Sequence, residues 1–232
     1  MVNFKLGTNF DFVLLDKIDE LNKEFRDTNK QINEVYGSER RMAYLTARPD
    51  FRLPDINKST LESFIKKCKD INVAFNYTFN SIFPGSKQEL DTKNNEIKDF
   101  VKYLENIGVK RITIASPLLM EITREASSTI GIEVSTVAHI CTVSQIKTFK
   151  ENYNIEKVCG NLLKNRSIKF LENAANWCNT NDVIYELMVN EFCGTGGKDY
   201  LTMCHMRAEC YIFHSTNHTK EDALLFNNYP MD

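Results

Sequence analysis

No stretch of this chain approaches the roughly 18 consecutive apolar residues of a membrane-spanning helix, and the opening MVNFKLGTNFDF lacks the basic-then-apolar build of a secretory leader. A cytoplasmic protein without membrane contact is therefore expected. An excess of one charge is also missing: the formal net charge is -2 with both signs interspersed, so no overall field argues for DNA or an acidic lipid surface. No Gly-x-Gly-x-x-Gly follows the first strand, which argues against a dinucleotide fold. Gly-x-Ser-x-Gly and His-Glu-x-x-His are absent as well, which removes the familiar serine and zinc peptidase signatures.

What is present is a core and a repeating pattern. Of the 232 residues 42% are hydrophobic, enough for one large domain, and a single barrel domain over residues 1–232 is expected. Within it, residues 193–232 read as a cysteine-bearing C-terminal segment. The seven cysteines are poor candidates for disulfides in a reducing compartment, and their odd number fits a ligand set plus buried thiols better.

The pattern alternates strand and helix. Strands are expected at 4–9, 32–37, 71–81, 111–116, 132–139, 157–160 and 182–192, with helices at 10–25, about 59–70, 89–106, 117–129, 144–152 and 168–178. Asp11 is the expected cap of the first helix and Ser59 or Thr60 that of the second. A further helical segment is expected at 219–226. The strand at 71–81 is the clearest, with Val73, Phe75, Tyr77 and Phe79 on one face and Ala74, Asn76, Thr78 and Asn80 on the other. One bulky face and one small or polar face suit a barrel lumen better than an open sheet covered on both sides. The expected fold is a (β/α)8 barrel, incomplete or irregular at its eighth strand.

Barrel active sites lie at the carboxyl ends of the strands. Asn9, Asn76, Asn80, Ser116, His139, Arg166, Glu186 and Asn190 are expected there. Glu186 and His139 are the proton-handling candidates, because a lumen carboxylate and an imidazole can be tuned toward neutral pKa values by burial, with Asn190 beside them. The long stretch 38–58 carries Arg41 and Arg48, which with Arg166 could hold an anionic group. Cys193, Cys204 and Cys210 follow the last strand in a Gly-rich loop. Their spacing matches neither zinc-ribbon pairs nor the Cys-x3-Cys-x2-Cys set, so unmetallated thiols, zinc with His205 or His214, and an iron–sulfur cluster all remain open.

The segments LGTNFD at 6–11, EVYG at 34–37, FNYTFNS at 75–81, VSTVAHI at 134–140, the Asn165-Arg166 pair and ELMVNEFC at 186–193 together resemble the collagenase-like peptidase U32 family. That resemblance implies a barrel with a four-cysteine iron–sulfur (4Fe-4S) cluster and oxygen-independent hydroxylation of a small molecule or an RNA base, with collagen-degrading peptidases among older members. It also implies Cys193, Cys204 and Cys210 as cluster ligands, with Cys178, Cys159 or Cys141 as the source of a fourth, because Phe213 stands where a nearby cysteine would be sought. A paralogous protein partner is a further implication, and an accessory subunit is the alternative to an enzyme.

Overall fold

The computed structural model describes residues 2–48 and 50–189. Seven strands run in chain order as one parallel sheet: β1 (Val2–Gly7), β2 (Lys30–Gly37), β3 (Ala74–Phe79), β4 (Arg111–Ile114), β5 (Gly131–Val134), β6 (Lys157–Cys159) and β7 (Ile184–Glu186). Six helices make the crossovers: α1 (Phe12–Glu24), α2 (Lys58–Asp70), α3 (Lys87–Asn106), α4 (Pro117–Ala126), α5 (Val143–Tyr153) and α6 (Ile168–Thr180). Each strand pairs with its sequence neighbours in parallel, the arrangement that right-handed βαβ units dictate. Among the described residues the sheet curls without closing: β1 and β7 share no ladder, yet Lys5 on β1 reaches within 3.7 Å of Glu186 on β7 across the gap. The fold is an incomplete (β/α) barrel.

Two sides of the sheet divide the chemistry. Val35, Phe75, Tyr77, Phe79, Ile112, Ile114, Ile132, Val134 and Val158 face outward and bury against the helix stripes. Aromatic rings bind this layer together: Phe10, Phe64 and Phe75 touch at centroid distances of 5.3–5.9 Å, and Tyr77 meets Phe79 at 5.3 Å and Phe100 at 5.5 Å. Alternate residues face the lumen.

Several expectations need adjusting. Asp11 caps α1, its carboxylate accepting from the Val13 N–H, but α2 begins at Lys58, one residue earlier than expected. Asn57 is its cap and accepts from the Thr60 N–H at 2.9 Å, while Ser59 and Thr60 donate their hydroxyls to Asn57. β7 is three residues long, its pairing ending at Glu186 although apolar alternation continues to Val189. The stretch after β2 is two short 3-10 turns, Arg40–Leu45 and Asp50–Arg52. Asn80 pins it down by accepting from the Ala47 N–H at 3.0 Å. The C-terminal segment 193–232, the helix expected at 219–226, and Asn190 lie outside the described residues.

Candidate active site in the barrel lumen

Six of the seven strands send a charged side chain into the middle of the lumen. Lys5 comes from β1, Glu34 from β2, Arg111 from β4, Glu133 from β5, Lys157 from β6 and Glu186 from β7, while β3 contributes Asn76. A bulge sets the level of the first two. The β1–β2 pairing steps from Phe4↔Ile32 to Lys5↔Glu34, so Asn33 is the extra residue. Without it Lys5 would stand level with Asn33 and Glu34 would turn toward the helices.

Both ammoniums touch all three carboxylates. Lys5 Nζ lies 2.5 Å from Glu133, 3.4 Å from Glu34 and 3.7 Å from Glu186. Lys157 Nζ lies 3.1 Å from Glu34 and 3.5 Å from Glu133, and it also contacts Glu186. Lys5 donates to Glu133 and Lys157 to Glu34, with the remaining carboxylates standing by as ion-pair partners. Asn76 Nδ2 donates to Glu133 at 2.9 Å and to Glu34 at 3.2 Å, and its Oδ1 accepts from Thr113 at 2.8 Å, which fixes the amide's orientation. The Arg111 guanidinium holds Glu34 at 2.8 Å and reaches Glu156, on the approach to β6, at 3.2 Å.

Burial opposes ionisation here, and the partners decide who keeps a charge. Burial alone would lower Lys5, but Glu133, Glu186 and Glu34 outweigh it and raise its pKa. Lys157 is raised by the same balance, with Glu133 the largest opposing charge. Burial pushes Glu34 up, yet Lys5, Lys157 and Arg111 leave it below the ordinary carboxylate range. Glu133 stays above that range because burial prevails over its lysines. Protonated lysines are not amine nucleophiles, so the network offers acid–base and electrostatic chemistry. Glu186 is its most open member, its side chain 22% exposed where the others with a carboxylate or ammonium are 9% or less.

Of the described side chains expected at the site, Asn76 and Glu186 meet in this network, and the others are placed elsewhere. His139 follows β5 and a 3-10 turn at the rim, exposed, with a left-handed backbone (φ 55°) and Nδ1 2.8 Å from Asn161 Nδ2. A left-handed non-glycine residue at a barrel rim is strain of the kind found at functional positions. Asn9, Arg48 and Arg166 are exposed beyond the strands. Arg41 turns away from the lumen toward α3, stacking over Phe100 at 5.5 Å and Tyr103 at 5.9 Å beside the Glu39 carboxylate. It therefore does not join Arg166 in an anion clamp. Lys5, Glu34, Arg111, Glu133 and Lys157 were not expected. Their signal was a lone charge amid apolar residues, as in FKLG, INEVYG, GIEV and KVCG.

The fold defines a class, the parallel (β/α) barrels, whose enzymes carry their active sites at the carboxyl rim of the strands. The particular family follows from the sequence. The model for peptidase family U32 matches residues 22–189, and the chain belongs to that family. No curated protein matches it in sequence. Its fold is similar to that of the U32 peptidase Mk0906, at 12% identity and a TM-score of 0.66 over 92% of this chain and 76% of that one. It is also similar to an enolase protein from the environmental genome shotgun sequencing of the Sargasso Sea, at 12% identity and a TM-score of 0.50 over 81% of this chain and 47% of that one.

The family resemblance raised a metal cluster, and the described thiols bear on it. Cys178 sits on α6 inside the apolar core, and burial pushes its thiol up to about 11. Full burial among apolar side chains suits a packing role for Cys178. Cys68, in the same layer, is pushed up to about 12, and Cys159, facing the lumen carboxylates, is raised by burial first. Cys193, Cys204 and Cys210 lie outside the described residues. Among the described residues, the one group of His, Cys, Asp and Glu side chains close enough to share an ion is Glu34, Glu133 and Glu186, within 4.8 Å of one another. Two ammoniums already stand among those oxygens.

Proposed function

We propose that this U32 family member is an enzyme whose chemistry runs in the lumen above the ion network, with Glu186 taking or giving the proton. The observation that carries this reading is a carboxylate fixed by two ammoniums inside a barrel and yet 22% exposed. Lys5 and Lys157 orient it, and Glu34 and Glu133, both held by the Asn76 amide, pair with those lysines. His139 at the rim is the second proton-handling group.

The finer reading follows the family resemblance: iron–sulfur-dependent, oxygen-independent hydroxylation or a related redox modification of a small molecule or an RNA base. Cys193, Cys204 and Cys210 would hold the cluster, which supplies electron transfer when bound. Chain prepared without oxygen should contain about four irons with matching sulfide, and Cys193→Ala should lose them. Chain that holds only zinc, or no metal, while cleaving peptides would replace this reading with the hydrolytic one that the family's name suggests. Chain inert alone but active when mixed with a paralogue would make it an accessory subunit.

A further inference from the structure

We infer that the floor of the lumen is a binding site for a cationic, N–H-rich group, an alkylammonium or a guanidinium, and that it rejects carboxylate and phosphate. The inference rests on the lumen being the working site and goes on to name what that site recognises.

The asymmetry of exposure is the first argument. Each ammonium is ringed by the same three carboxylates, and the Tyr36 ring lies over Lys5, 5.0 Å from Nζ to the ring centre. An arriving anion would meet those carboxylates around either lysine. The carboxylate of Glu186 is what remains open.

Charge and an orphaned hydroxyl point the same way. Counting Glu156, four carboxylates face three cations, one negative charge in excess: Lys5 and Lys157 stand among Glu34, Glu133 and Glu186, and the Arg111 guanidinium is shared between Glu34 at 2.8 Å and Glu156 at 3.2 Å. Across the lumen from β7, Thr78 projects from the inner face of β3, one step nearer the rim than Asn76. It is more than nine-tenths buried, and its Oγ1 has no hydrogen-bond partner among the described residues. A buried hydroxyl left unsatisfied calls for a ligand or a water. A cation between β7 and β3 would meet a carboxylate on one side and this oxygen on the other.

Calorimetric titration of the full chain with butylamine and agmatine, and separately with acetate and inorganic phosphate, tests this. The amine or guanidine should bind saturably, with Glu186→Gln weakening it at least ~10-fold, as loss of a charge-assisted hydrogen bond implies. Thr78→Val, which keeps shape and removes the oxygen, should weaken it several-fold. Binding of acetate or phosphate in competition with butylamine would overturn the inference, as would amine affinity unchanged in both variants or no amine binding at all. Should Glu186→Gln fail to fold, Thr78→Val decides alone. The titration needs neither iron nor turnover, so its failure is distinct from failure of the proposed activity.

Discussion

Replacing Lys5 by methionine removes a cation that reaches from β1 to carboxylates on β2, β5 and β7, and with it the contacts that draw the open edges of the barrel together. Its closest partner, Glu133, has a side chain only 1% exposed and sits 2.5 Å from the ammonium. Two buried charges of opposite sign contribute little net stability, because desolvation offsets their attraction, but removing one leaves the other buried and short of its partner. That costs about 3–5 kcal/mol. Against a total stability of about 5–15 kcal/mol, it is a large fraction, and for a chain of this size it lowers the melting temperature by roughly 6–20 °C. Lys5→Met combined with Glu133→Leu should recover most of the loss, because neither charge is then stranded. Urea unfolding followed by circular dichroism reads both, with a lowered midpoint and an unchanged slope marking a change in stability alone. As a control, Lys17→Ala breaks the exposed pair with Glu20 and should leave the midpoint where it was. A single variant within ~1 kcal/mol of the parent, or a double variant as damaged as the single, would refute the reasoning that the network is one interdependent unit.

Two further predictions follow from the geometry. Phe10 holds a left-handed backbone (φ 63°) while its ring packs 5.3 Å from Phe64 and 5.7 Å from Phe75; Phe10→Ala should cost about 3–5 kcal/mol, and Phe10→Gly about 1 kcal/mol less, because glycine relieves the backbone. An alanine variant more stable than the glycine one would contradict that. On acidification, the depressed Glu34 pKa means its share of stability is present above the ordinary carboxylate value, near ~4.3, and is lost as pH falls through the folded value. Glu133 acts oppositely: with its pKa raised, folding favours the protonated form and its share declines as pH rises past the ordinary value. Urea midpoints of the parent, Glu34→Gln and Glu133→Gln between pH ~3 and ~7 separate the two signs, and parallel curves for all three would sink the assignment.

The parallel order of β1 to β7 and the division into an apolar outer and a polar inner face were legible from alternation, because burial on one side of a strand writes itself into every second residue. β3 shows this most plainly: Phe75, Tyr77 and Phe79 against Asn76, Thr78 and Asn80. Asn76 and Glu186 were legible as lumen-facing residues for the same reason. Lys5, Glu34, Arg111, Glu133 and Lys157 were overlooked because each is a single lumen-facing charge in its strand, and a lone charge in a short strand reads equally well as a strand end. Only their sum, visible once the strands are set side by side, makes a network.

The sequence by itself determined the family, the element order and which face of each strand is buried, all properties fixed within a strand or between near neighbours. Tertiary structure alone decided that Lys5 meets Glu133, 128 positions away, and that the Asn33 bulge brings Glu34 level with it. It also turned Arg41 outward to α3 and sealed Cys178 in the core. Such pairings depend on register and curvature, which no local pattern encodes, because a shift of one residue would send each charge to the opposite face of the sheet.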